Sequence, residues 1–198
     1  MTIPSQPAGR RHFVATMARL LRKQGFAATG LNQLVAESGA PKGSLYHYFP
    51  GGKDEVAAEA LLFAGKLVRG TLEALRRAET GPAGIVRAYG ALLEGWMGKS
   101  GYSDGCPITT TLLEVATEKP AIAAIGRDAF ASWREVFAGA LRDAGVPAER
   151  AGALALAAIM MFEGALILTR VGRDPEPIRT ATREIAALFE KACAAATT

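Results

Sequence analysis

Between Thr29 and Lys53 the chain gathers hydroxyls, an imidazole and ammonium groups at spacings that suit a nucleic acid surface. Lys42 and Lys53 are compact cations of the kind that hold phosphates. Ser44 and His47 have the reach and polarity for base edges or phosphate oxygens. Tyr46 and Tyr48 carry hydroxyls on flat apolar rings, useful against a sugar-phosphate wall. Gly43 has no side chain to keep the backbone out of a groove. Thr29 can cap the helix that follows it, and hydroxyls at such a helix start also meet phosphates. Taken singly, each has a bland alternative as a solvated lysine or a packed tyrosine, and Tyr46 in particular suits a core. Their combination with the local charge favours DNA.

That charge is concentrated. Residues 1–53 hold Arg10, Arg11, Arg19, Arg22, Lys23, Lys42 and Lys53 against a single acid, Glu37, a balance of +6. The remainder is near neutral at −2, within a whole-chain net charge of +4. A basic first quarter on a near-neutral remainder reads as a polyanion-binding module attached to something else.

The elements that position these groups follow from apolar periodicity. Phe13, Val14, Met17, Ala18 and Leu21 recur at helical spacing from Arg10 to Gln24, and Gly25 ends that helix. Leu31, Leu34 and Val35 make a second short stripe ended by Gly39, and Pro41 suits the first turn of the next helix. Leu45 and Phe49, four apart, give the third helix an inward face and leave Lys42, Ser44, Tyr46, His47 and Tyr48 to the outer and flanking faces. Two short helices joined by a Gly-containing turn form an element of the helix-turn-helix kind.

Further on, the pattern predicts a long helix from Asp54 to about Thr80, then helices at 82–99, from Ile108 for about ten residues, at 120–143, 148–172 and 176–195. Glycine and proline punctuate them, and no stretch alternates like a strand. The expected fold is all-α, about nine helices. Residues 1–9 read as a loose tail, 10–53 as the DNA-binding domain, and 54–198 as a larger helical domain.

Several function classes lack support. The only histidines are His12 and His47, and Cys106 and Cys193 are far apart without metal-ligand spacing. No metal site, disulfide framework or cofactor is expected, and the thiols fit a reducing cytoplasm. No nucleophile has a plausible base, so no catalytic residue is assigned. Residues 10–23 are Arg-rich and acid-free like a transit peptide, but they run directly into the helix-turn-helix. The stretch 151–169 is long enough to cross a bilayer, yet it is rich in Ala and Gly and carries Glu163. A buried helix in a soluble protein is the expected reading.

The larger domain is rich in groups that suit a cavity for apolar, planar or cationic molecules: Phe63, Tyr89, Trp96, Met97, Cys106, Ile108, Phe130, Trp133, Phe137, Met161 and Phe162. For each residue taken alone, plain core packing is the favoured reading. Ala155 and Ala158 permit close helix approach, and Ile185, Leu188 and Phe189 form a stripe on the last helix. These are the candidates for an interface between two copies.

Gly25-Phe26, Thr29, Leu34-Val35-Ala36, Gly39, Lys42-Gly43-Ser44-Leu45-Tyr46-His47-Tyr48-Phe49 and Lys53 together resemble the N-terminal domain of TetR/AcrR-type transcriptional regulators. Gly30 departs from the hydroxyl residue that many members place there. Gly105-Cys106-Pro107-Ile108, Leu113-Glu114 and Trp133 resemble the C-terminal domain of the LmrA/YxaF-like subgroup. The resemblance implies a cytoplasmic, nucleoid-associated homodimer, with the third helix of each subunit in a major groove of a near-palindromic operator. It also implies a C-terminal domain for ligand binding and dimerisation. The expected function is that of a repressor released from DNA by a small apolar or aromatic effector. An effector-independent regulator or activator, or a module binding an acidic protein, are the alternatives.

Overall fold

Glycine and proline set most of the helix ends. The computed structural model describes residues 7–41, 43–78 and 81–196, and its regular structure among them is entirely helical. The helices are α1 (Ala8–Gln24), α2 (Leu31–Ser38), α3 (Ser44–Tyr48), α4 (Gly52–Ala78), α5 (Pro82–Lys99), α6 (Pro107–Val115), α7 (Pro120–Asp143), α8 (Ala148–Gly172) and α9 (Glu176–Ala196). Proline occupies the first turn of α5 and α6, where no amide donor is needed. Asp54 and Glu55 sit in the first turn of α4 and Arg76 and Arg77 in its last, matching the helix dipole. The loop before α4 is shorter than the Pro50-Gly51-Gly52 break predicts, because Gly52 already belongs to the helix.

The chain divides into two compact units that do not follow a linear cut after residue 53. One unit comprises residues 1–67 and 106–129; the other comprises residues 68–105 and 130–198. Helices α4 and α7 each contribute one part to both. Helix α6, far along the chain, folds with the N-terminal helices and packs on α1.

The first unit is built around α1, which packs against α2, α3 and α6. Phe13, Met17, Leu20, Leu21, Leu34, Leu45 and Phe49 fill its core, and Phe13 meets Phe49 edge-on with ring centres 6.1 Å apart. Leu45 and Phe49 point inward as their spacing predicts. In the second unit α9 packs on both α5 and α8. Its centre is aromatic: Tyr89 lies edge-on to Phe162 at 5.3 Å and near Phe137 at 6.3 Å, and Phe137 meets Phe189 at 6.1 Å. Such tilted pairs set the positive ring edge against the negative face.

Helix α8 is long and apolar enough to cross a membrane by length and composition. Its Ala151, Leu154, Ala155, Ala158, Phe162 and Ala165 are buried within the second unit. This corrects the expected interface set. Ala155, Ala158, Ile185 and Phe189 are occupied within one chain and present nothing to a second copy, whereas Leu188 is exposed. The small residues that promised a close approach between subunits instead serve the packing of α8 inside its own chain. The outward side of α8 carries Leu156, Met160, Ile167, Leu168 and Val171.

Candidate nucleic-acid interface

The turn between α1 and α2 is fixed from within. Gly25 ends α1 at φ 80°, and its carbonyl accepts the Thr29 hydroxyl at 2.6 Å. The Thr29 amide donates to Phe26 O at 3.1 Å, and the Gln24 side chain donates to Ala28 O at 2.8 Å. Thr29 therefore does not cap α2. It is only 1% exposed, and Gly30 holds the cap position with no side-chain bond. The expected phosphate contact through the Thr29 hydroxyl is corrected on that ground: the group's hydrogen bond is internal. Gly30, in place of a second hydroxyl residue, leaves the first turn of α2 open.

Helix α3 is one and a half turns long, and its two faces divide cleanly. Gly43 caps it at φ 92°, in the left-handed region that favours glycine, and a Cβ there would meet nothing. The Ser44 hydroxyl donates to Pro41 O at 2.7 Å, closing the turn that starts the helix. Tyr46 is 62% exposed and His47 is also exposed, both on the side away from Leu45. Tyr48 is half-buried, its ring 6.4 Å from Phe13 and against Gly9, so its body belongs to the packing of α1 on α3. Lys42, the cation expected beside Gly43, lies outside the described residues. Gly43, Ser44, Tyr46 and His47 thus share one outward, backbone-accessible surface.

Lys53 faces inward more than its charge suggests. Its Nζ lies 4.3 Å from the centre of the Phe26 ring and donates to Ala27 O at 3.4 Å. Burial lowers its pKa from the usual 10.5, an effect that the Glu114 and Asp54 carboxylates oppose and Lys119 reinforces. Two other N-terminal cations are likewise engaged. Arg10 pairs with Glu59, reaches Tyr48 O and lies 4.5 Å over the Phe49 ring. Arg19 donates to Glu37 at 2.7 Å and holds that carboxyl below its ordinary value. Part of the +6 seen in sequence is therefore internal cement between helices.

Sequence spacing gave no role to the groups that grip the turn from α6. Glu114 accepts the Ala27 amide on Oε2 at 2.6 Å, and the Thr110 hydroxyl lies 2.8 Å from Leu21 O. These pairs are more than eighty residues apart in the chain. In sequence Glu114 carries only a place in the subgroup motif.

The ligand candidates fall in both units. Phe63, Cys106 and Ile108 belong to the first; Tyr89, Trp96, Met97, Phe130, Trp133, Phe137, Met161 and Phe162 belong to the second. Ile108, Tyr89, Met97, Trp133, Phe137 and Phe162 are buried. Phe63, Cys106, Phe130 and Met161 are half-buried, and Trp96 is exposed. Among the described residues no group of three or more His, Cys, Asp or Glu is placed to hold a metal ion.

The comparisons with known proteins bear directly on this surface. Residues 14–60 match the family model for bacterial regulatory proteins of the TetR family, and residues 82–184 match that for the LmrA/YxaF-like transcriptional regulator C-terminal domain. The HTH-type transcriptional regulator YxaF of Bacillus subtilis is 33% identical over 187 residues, covering 94% of this chain and 98% of YxaF. LmrA of the same organism, also an HTH-type transcriptional regulator, is 30% identical over 169 residues, with 85% and 90% covered. The crystal structure of a regulatory protein TetR from Rhodobacter sphaeroides shares the fold, with a TM-score of 0.83 at 20% identity and coverage of 92% and 99%. With its helix-turn-helix and its C-terminal segment both matched, this chain belongs to the TetR family of DNA-binding transcriptional regulators, with an LmrA/YxaF-like C-terminal domain.

Proposed function

We propose that the chain is a homodimeric repressor that releases its operator when a small apolar or aromatic molecule binds its larger helical domain. Two copies of α3 would enter successive major grooves about 34–36 Å apart on a near-palindromic site, in the bacterial cytoplasm at the nucleoid. On this reading Gly43, Ser44, Tyr46 and His47 meet the groove and Lys42 serves the phosphates, while Lys53 stays with the Phe26 ring and the Ala27 carbonyl. The operator is released if the effector binds more tightly to the arrangement whose reading heads are wrongly spaced.

The observation that carries the dimer is the outward row on α8. Leu156, Met160, Ile167, Leu168 and Val171 are all exposed in the single chain, and Leu168 is 61% exposed. Apolar rows of this size on one helix mark an association surface, and a second copy of the same row covers it isologously. Exposed Leu188 on α9 is the one member of the expected interface set that supports this reading. For the effector, Trp96, Phe130 and Met161 are the second-unit candidates that a small molecule reaches without unpacking the core. The close edge-on packing of Tyr89, Phe137 and Phe162 favours a second reading, a regulator with no effector at all.

One set of measurements separates these readings. A duplex is selected from random sequence by the wild-type protein. Small aromatic molecules are screened by thermal shift, and binders are titrated against the protein–duplex complex. Binders that lower duplex affinity support the effector-responsive reading. Binders that leave it unchanged overturn it in favour of the effector-independent regulator. Leu168→Glu is expected to halve the mass in solution at micromolar concentration; an unchanged mass overturns the α8 interface.

A further inference from the structure

The surface that reads DNA is held in place by a residue remote in sequence. We infer that Glu114 on α6 is a positioning residue for DNA binding, its carboxylate seating the α1–α2 turn and through it the helix pair α2–α3. The inference rests on the DNA-binding role of the family and is independent of any effector.

Four observations in the first unit meet at this turn. Glu114 Oε2 accepts the Ala27 amide at 2.6 Å, a charge-assisted bond to a backbone donor that follows the end of α1. The same carboxylate fills the space beside Gly25, so that a Cβ at Gly25 would overlap Glu114 Oε1. The close approach therefore requires glycine, as does the backbone, at φ 80°. The Phe26 ring of the turn has two ammonium groups near it, Lys53 Nζ at 4.3 Å and Lys119 Nζ at 5.4 Å from its centre. Lys119 in turn pairs with Asp54 at 2.6 Å, tying the start of α7 to the start of α4. The turn is gripped by α6, α4 and α7 together, with Thr110 adding a second tie from α6 to Leu21 O at the end of α1.

Glu114 supplies what the other ties do not. The Lys53 ammonium reaches a carbonyl and the Thr110 hydroxyl reaches another, but Glu114 is the group that meets the Ala27 amide. The turn's own short-range bonds fix its shape, Lys53 ties it to α4 and Thr110 ties the end of α1 to α6, so the Glu114 bond is the tie that joins the turn's own backbone to α6. Helix α2 begins four residues after Ala27, and α2 leads through Gly39 into α3. A displacement of the turn on α6 is carried into the outward surface at Gly43, Ser44, Tyr46 and His47.

A positioning role and a simple charge effect predict opposite signs. Removing an acid beside a basic DNA-binding surface, with nothing else changed, strengthens binding to a polyanion. Removing a seat weakens it. The test is fluorescence anisotropy of the duplex selected by wild-type protein, titrated with Glu114→Ala, Glu114→Gln and Glu114→Asp across a range of salt. The expected result is a loss of up to about tenfold for Glu114→Ala, the upper order for one charge-assisted hydrogen bond on an exposed side chain. Glu114→Gln, whose amide oxygen accepts the same bond, stays within about twofold of wild type. Glu114→Asp keeps the charge but withdraws the oxygen by one methylene, and it weakens binding as alanine does. The salt slope is the same in all, because no phosphate contact is removed. Wild-type or tighter binding by the alanine variant overturns the inference, as does a glutamine variant as weak as alanine. Should Glu114→Ala fail to fold, the aspartate and glutamine variants decide the matter by the same criteria.

Discussion

Both units of the chain have apolar cores, but they differ in what their long-range polar side chains reach. In the first, polar side chains tie segments far apart in sequence: Glu114 to Ala27, Thr110 to Leu21, Lys119 to Asp54 and Arg10 to Glu59. In the second, Tyr89, Phe137, Phe162 and Phe189 pack edge-on at the centre. Its long-range ion pairs join side chains to side chains: Arg179 with half-buried Glu94 and Arg87 with Glu190 between α5 and α9, and Arg76 with Asp143 between α4 and α7. Directional bonds fix the orientation of a small helical head, which DNA reading demands. Apolar packing supplies stability but specifies orientation less sharply. The contrast assigns aim to the first unit and cohesion to the second.

The contrast is broken most easily at Phe137, fully buried at the aromatic centre. Phe137→Ala is expected to cost about 3–5 kcal/mol of stability, the range for a large aromatic removed from a core. Chemical denaturation measures it, and the fraction still folded should bind DNA as wild type does. A loss below about 1 kcal/mol would mean that the aromatic centre collapses around the gap or was never its main support.

A much smaller effect is expected at the rim. Arg179 hydrogen-bonds Glu94 and holds its carboxyl below the ordinary value of 4.5. A lowered folded-state value means that the stabilisation is fully present above the usual carboxylate range. It is lost as the pH falls through the folded value, somewhere below 4.5. Because the pair is largely solvent-exposed, Glu94→Gln should lower the melting temperature at pH 7 by no more than about 2–4 °C. Near pH 3 the difference should shrink. A difference that grows on acidification would reverse the sign and remove the pair from the account.

The helices were legible because their punctuation is local. Pro82, Pro107, Pro120 and Pro147 sit at or just before helix starts, and Gly25 and Gly39 just past helix ends. Leu45 and Phe49 announced the inward face of α3, and the groups left over form its outward face. What the sequence concealed is set by contacts between distant residues. Nothing near Thr29 announces that its hydroxyl turns back to Gly25, and nothing near Arg10 announces Glu59. Helix α6 reads as part of the larger domain by position, whereas packing on α1 places it with the first unit. On α8, small and large apolar residues alternate around most of the helix, so periodicity did not separate the buried Ala155 and Ala158 from the exposed Leu156 and Met160.

The central claim is that the outward surface of α3 reads base sequence. Its direct test compares wild type with Tyr46→Ala/His47→Ala on the selected duplex and on a scrambled duplex, by anisotropy at fixed salt. Both side chains are exposed, so the fold should tolerate their loss. The account predicts a loss of about 10- to 100-fold on the selected duplex, the scale of one or two base-edge contacts, and little change on the scrambled one. Equal losses on both duplexes, or none on either, would contradict it.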